Sequence, residues 1–153
     1  MQDLELAFDA LVTPLQLPAL CRRLARHPQL RSVLDHAGKP SIARADDGQW
    51  LDWIDELAQH PQLQCKLSGL LTLLDPGMQE AAIDPCVRHL FDRFGASRLM
   101  WGSDWPVLTT HADYGHWLRL SKALTERYAP GRQTDVFGAN ATRFYALDAA
   151  ILS

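Results

Sequence analysis

Ala25-Arg26-His27-Pro28-Gln29-Leu30 returns almost unchanged as Ala58-Gln59-His60-Pro61-Gln62-Leu63, 33 residues further on. Both copies stand between the end of a helical pattern and the start of an apolar run. A histidine near a helix C-terminus suits the dipole, and proline then stops the helix, so His27 and His60 read as structural. The period is the constraint. Eight strand–helix units of about 33 residues make roughly 264, the size of a full (β/α)8 barrel. This chain has 153 residues, about four and a half such units, and so has half-barrel length.

The rest of the pattern agrees. Apolar runs at 4–12, 32–36, 62–67 and 98–102 predict four strands. Each is followed by a helical pattern. Leu17, Leu20, Cys21 and Leu24 recur at the i, i+3, i+4, i+7 spacing, and so do Trp50, Trp53, Ile54 and Leu57. Asp84-Pro85 predicts an N-cap and first turn for a helix carrying Val87, Leu90, Phe91 and Phe94, ended by Gly95. Trp117, Leu120, Leu124 and Tyr128 mark the fourth helix, and a last one is predicted over roughly 135–145. No hairpin turn joins any strands, so strict alternation predicts a parallel sheet with outer helices in one partial-barrel domain spanning 1–153.

Composition narrows the function classes. The chain is 47% hydrophobic and 22% charged, with a net charge of −3. This is a globular balance, with no basic surface for nucleic acid and no apolar run long enough for a membrane span. The acidic start is unlike a signal peptide, and Cys21, Cys65 and Cys86 show no CxxC pairing. A cytoplasmic protein with free, buried thiols is expected.

Strand parity selects the candidate site. If Cys65/Leu67 and Leu99/Trp101 meet the outer helices, then Lys66/Ser68 and Met100/Gly102/Asp104 point into the barrel. In the second strand Val33 and Asp35 share one face, Leu34 and His36 the other. His36, Ser68 and Asp104 then stand at C-terminal strand ends, where barrel enzymes place catalytic groups. Lys66 is either functional or the partner of an inward salt bridge. Trp105 can wall a pocket. Asp35 is expected to bond local backbone and His89 to lie on the surface. His111 and His116 are five apart, a poor spacing for a metal pair. There is no HxH, HExxH, GxSxG, P-loop or GxGxxG motif.

Three segments, Val33-Leu34-Asp35-His36-Ala37-Gly38-Lys39-Pro40, Lys66-Leu67-Ser68-Gly69-Leu70 and Arg98-Leu99-Met100-Trp101-Gly102-Ser103-Asp104-Trp105-Pro106, resemble the amidohydrolase-related TIM-barrel family. The nearest branch is the sugar-lactone hydrolases of the L-fuconolactonase type. The tail Val136-Phe137-Gly138-Ala139-Asn140-Ala141-Thr142-Arg143-Phe144-Tyr145 is similar to that branch's closing helix. The resemblance runs over about residues 5 to 147 and concerns the C-terminal half of the barrel, making these strands the fifth to eighth.

The resemblance implies a hydrolase acting by water attack on a sugar lactone or similar cyclic ester. Asp104 would be general base, and His36 would contact the substrate carbonyl or a metal. Lys66, Ser68 and Trp105 would bind substrate. A divalent metal such as zinc, held in part by His36 and Asp104, is also implied. The family's fifth-strand metal ligand has no match, since that strand ends Leu11-Val12-Thr13, and the first-strand HxH pair is absent. Two other readings stand beside this one. The chain is a catalytically incomplete half-barrel that acts by self-association, a homodimer covering its open sheet, or it is a doubly wound binding module with helices on both sheet faces.

Overall fold

The computed structural model describes residues 6–42 and 48–147. Four strands, β1 (Phe8–Ala10), β2 (Ser32–Leu34), β3 (Leu63–Leu67) and β4 (Leu99–Trp101), form one sheet in the order β1-β2-β3-β4. All three pairings are parallel, with Phe8 opposite Ser32, Ser32 opposite Leu63 and Cys65 opposite Leu99. Each strand is followed by a helix: α1 (Leu17–Arg26), α2 (Gly48–Ala58), α3 (Asp84–Phe94) and α4 (Tyr114–Tyr128). A π-helical turn, Asp135–Ala139, leads into the closing helix α5 (Asn140–Tyr145).

The two copies of the repeat have the same backbone geometry. His27 N–H donates to Leu24 O and Leu30 N–H to His27 O, at 2.9 and 3.0 Å. His60 N–H donates to Leu57 O and Leu63 N–H to His60 O, at 3.0 and 3.1 Å. The motif is a helix-to-strand connector, as its proline and position predict.

The main core lies between the sheet and the outer helices. Leu34, Cys65, Leu67 and Leu99 meet Leu20, Ile54, Leu90 and Trp117 there. Burying such side chains is worth about 1.5–3 kcal/mol each. On the other face Val33 and Met100 pack against Phe144 of α5. The inner face is thus covered in part by the chain's own tail, whereas an open face was expected.

Several local expectations are corrected. The first strand is three residues long, not nine, and part of the expected run (residues 4 and 5) lies outside the described residues. Asp84 does not cap α3 with its side chain. Its carboxylate accepts hydrogen bonds instead from Arg127 Nη1 at 2.7 Å and Tyr128 Oη at 2.5 Å, tying α3 to α4. His89 is largely buried, its Nε2 2.8 Å from Asp55 Oδ1, and so joins α3 to α2. Asp35 pairs with Lys66 rather than with local backbone. Among the described residues no helix is long and apolar enough to cross a membrane.

Candidate active site

β2 stops at Leu34, two residues before the expected end. His36, Ala37, Gly38 and Lys39 follow with φ of 49°, 54°, 69° and 54°. A left-handed residue other than glycine costs about 1–2 kcal/mol, so this run persists only because its surroundings hold it. Trp50 Nε1 donates to Ala37 O at 2.9 Å, and Lys39 N–H to His36 O at 2.8 Å. Strict alternation would have turned His36 with Leu34 toward the outer helices, because Val33 and Asp35 take the inner face. The left-handed turn re-aims the ring onto the C-terminal rim.

Asp104 is also left-handed, with φ 57°. Its O accepts from Leu108 N–H at 2.8 Å. Gly102, two residues earlier, extends the β3–β4 ladder through its N–H to Leu67 O at 3.1 Å, and its O accepts from Trp117 Nε1 at 2.9 Å.

These turns bring three strand ends together. His36 Nδ1 lies 3.1 Å from Ser68 Oγ, and His36 Nε2 lies 3.8 Å from Asp104 Oδ1. The imidazole therefore stands between the serine and the aspartate. Thr72 Oγ1 is 2.8 Å from Gly69 O and 3.3 Å from Asp104 Oδ2, its one proton shared between them. The Asp104 side chain is 10% exposed and that of His36 23%.

The pair is framed by close backbone. Gly69 has φ +70°, and a Cβ there would stand 2.7 Å from His36 Nδ1. A Cβ on Gly102 would stand 3.0 Å from Ser68 Oγ. Neither approach is open to a larger residue without moving the ring or the hydroxyl.

Lys66 points inward. Its Nζ is 2.7 Å from Asp9 Oδ2 and 2.7 Å from Asp35 Oδ1, and Tyr145 Oη donates to Asp9 Oδ2 at 2.8 Å. Burial opposes the ammonium charge, but the hydrogen bonds it donates to Asp35 and Asp9 outweigh that and raise the Lys66 pKa above the ordinary lysine value. Burial, then the hydrogen bond to Asp9, raises the Tyr145 phenol. An inward salt bridge is thus what the lysine makes, at the floor of a cleft of about 410 Å³ that His36, Ser68, Asp104 and Trp105 also line. Trp105 stands at its mouth, 68% exposed.

Sequence reasoning missed Thr72, Asp9 and Tyr145. Asp9 sits mid-strand without a motif, and Tyr145 is 136 residues away from it. Thr72 belongs to the loop after β3, where no periodicity applies.

The chain matches the family model described as Amidohydrolase over residues 1–147. It is 49% identical over 148 residues to an L-fucono-1,5-lactonase of Burkholderia ambifaria, covering 94% of this chain and 51% of that protein. An L-fucono-1,5-lactonase of Burkholderia multivorans is 37% identical over 158 residues, with 96% and 53% covered. The crystal structure of an amidohydrolase from Burkholderia multivorans with bound zinc superposes with a TM-score of 0.89 at 38% identity, across 96% of this chain and 55% of that one. The chain spans about half the length of the curated relatives it matches.

Zinc normally takes at least three protein ligands. His36 and Asp104 are two, and among the described residues no group of three His, Cys, Asp or Glu comes together. The donors on this rim do not by themselves fit a zinc site. Four sequential parallel strands backed by helices, a family model matched over residues 1–147 and a near relative of known structure agree: the chain belongs to the amidohydrolase family and carries half of its (β/α)8 barrel.

Proposed function

We propose that the rim carries the acid–base half of a lactone hydrolase site, with Asp104 as general base and His36 as the group that holds the carbonyl oxygen. The observation that supports this most is the meeting of His36 and Asp104, from separate strand ends, with 3.8 Å between Nε2 and Oδ1. That gap is too long for a direct hydrogen bond and leaves both atoms free to face a water and a carbonyl.

Lactone hydrolysis needs a water that loses a proton as it attacks and a donor for the charge that develops on the carbonyl oxygen. In this reading Asp104 takes the proton while the water oxygen bonds to the carbonyl carbon. His36 donates to the resulting oxyanion. Collapse breaks the bond to the ring oxygen, which takes the proton back from Asp104, and a hydroxy acid leaves. Lys66 and Trp105 wall the cleft against the substrate ring. The names of the Burkholderia relatives point to an L-fucono-1,5-lactone or a similar sugar lactone as the substrate class.

The test is hydrolysis of L-fucono-1,5-lactone by the 153-residue chain and its Asp104→Asn variant. Each is assayed alone and mixed with the N-terminal half of the Burkholderia ambifaria relative. Hydrolysis is expected in the mixture, falling at least about 10²-fold with Asp104→Asn. Hydrolysis unchanged by Asp104→Asn removes the assigned base, and none in any arm removes the lactone reading.

A further inference from the structure

Ser68 is 2% exposed. The described structure gives its hydroxyl one side-chain partner, His36 Nδ1 at 3.1 Å, and no carbonyl or carboxylate that accepts from it. A hydroxyl has one proton to donate, and burying that proton without an acceptor costs stability. If the imidazole carried its proton on Nδ1, it would donate to Ser68 Oγ and leave the serine proton stranded. If Nδ1 is bare, the serine donates to it and both groups are satisfied. Two backbone approaches hold this pair together. The Cβ positions of Gly69 and Gly102 fall 2.7 Å from Nδ1 and 3.0 Å from Oγ, so glycine there lets ring and hydroxyl meet. The consequence lies at the other end of the ring, where Nε2 faces Asp104.

We propose that Ser68 is a positioning residue whose hydroxyl donates to Nδ1 of His36, so that the imidazole keeps its proton on Nε2 and presents that N–H to the cleft beside Asp104. This gives Ser68 a different part from the substrate contact expected of it. It deepens the reading of His36 as the donor to the carbonyl oxygen and rests on that reading for its consequence, though not for its geometry. Which ring nitrogen of a histidine is protonated is set by the bond the other one makes.

The tautomer can be read without turnover. The ring nitrogens of His36 are observed by long-range 1H–15N correlation on the 15N-labelled 153-residue chain, with chelator present and at a pH where the ring is neutral. His36→Gln identifies the signals. The expected spectrum shows one tautomer, with a protonated Nε2 and a bare, hydrogen-bonded Nδ1. In Ser68→Ala the two nitrogen shifts are expected to move toward each other as the second tautomer becomes populated, with the backbone amide spectrum otherwise retained. A protonated Nδ1 in the wild type overturns the proposal, whether or not Ser68→Ala folds. Shifts unchanged in Ser68→Ala overturn it as well. Failure of lactone hydrolysis with the tautomer as stated falls instead on the proposed function.

Discussion

At the scale of single residues, the Lys66 network is the clearest energetic feature beside the site. The Lys66 side chain is 24% exposed, with that of Asp35 at 16% and that of Asp9 at 39%. Removing the lysine leaves two carboxylates facing each other in a half-buried space. A fully buried broken pair costs 3–5 kcal/mol, and solvent screening lowers that here to roughly 1–3 kcal/mol. Lys66→Met is therefore expected to lower the unfolding free energy by that amount while keeping the fold, as urea denaturation will show. The same groups set an alkaline limit. The Lys66 pKa is raised by folding, so its contribution is complete below the ordinary lysine range and is lost as pH climbs through the folded value. Burial also raises the Cys21 and Cys86 thiols from 9.0 to about 11. A raised thiol pKa works in the same sense: the unfolded chain ionises first, and stability falls between about pH 9 and pH 11. Urea midpoints measured across that window should decline; a flat profile contradicts the burial of these groups.

At the scale of elements, the closing segment is secured by one side chain. Asn140 Nδ2 donates to Ala96 O and Leu99 O, both at 2.7 Å, and its Oδ1 accepts from Arg143 Nη2 at 2.6 Å. It is 1% exposed. This ties α5 to the start of β4 and lets Phe144 reach Val33 and Met100 on the inner face. Asn140→Ala leaves the buried Leu99 carbonyl and the half-buried Ala96 carbonyl without this donor, at about 1–3 kcal/mol in total. Faster amide exchange is expected in α5 and β4 before the outer helices respond. Protection lost uniformly through the chain would mean that α5 is not a separate docking unit. Arg98 acts similarly between α2 and β4, with Nη1 donating to Ala58 O at 2.9 Å and His60 O at 3.1 Å.

At the scale of the whole molecule, β1 and β4 each have one hydrogen-bonded neighbour among the described residues, and there neither sheet edge is paired by a further strand. Leu11 and Leu15, beyond the end of β1, are 59% and 89% exposed. The rim gathers groups from four strand ends where a full barrel has eight. Two donors, His36 and Asp104, leave an ion mostly hydrated and easily lost. The 153-residue chain, loaded with zinc and then passed through gel filtration in chelator-free buffer, is expected to retain well under one equivalent by elemental analysis. Stoichiometric zinc would show that further donors reach this rim.

The sequence by itself determined the features that depend on local periodicity. The 33-residue spacing, the buried stripe Leu17, Leu20, Cys21 and Leu24, and the alternation of Cys65 and Leu67 against Lys66 each follow from which side of one element faces the core. Parallel order followed too, since alternating strands and helices leave few other connections. The candidate rim was half legible. Asp104 and Ser68 lie where strand ends place them, and the motifs around them carried the family resemblance. Tertiary structure decided the rest, because it depends on contacts far apart in the chain. His36 faces the rim only because a left-handed turn, held by Trp50, overrides strand alternation. Asp84 leaves its capping role because α4 brings Arg127 and Tyr128 within reach. Lys66 is matched by Asp9 and Asp35 from two other strands, with Tyr145 closing on Asp9 from the far end of the chain. Periodicity shows which way a residue faces; only the packed fold shows what it meets.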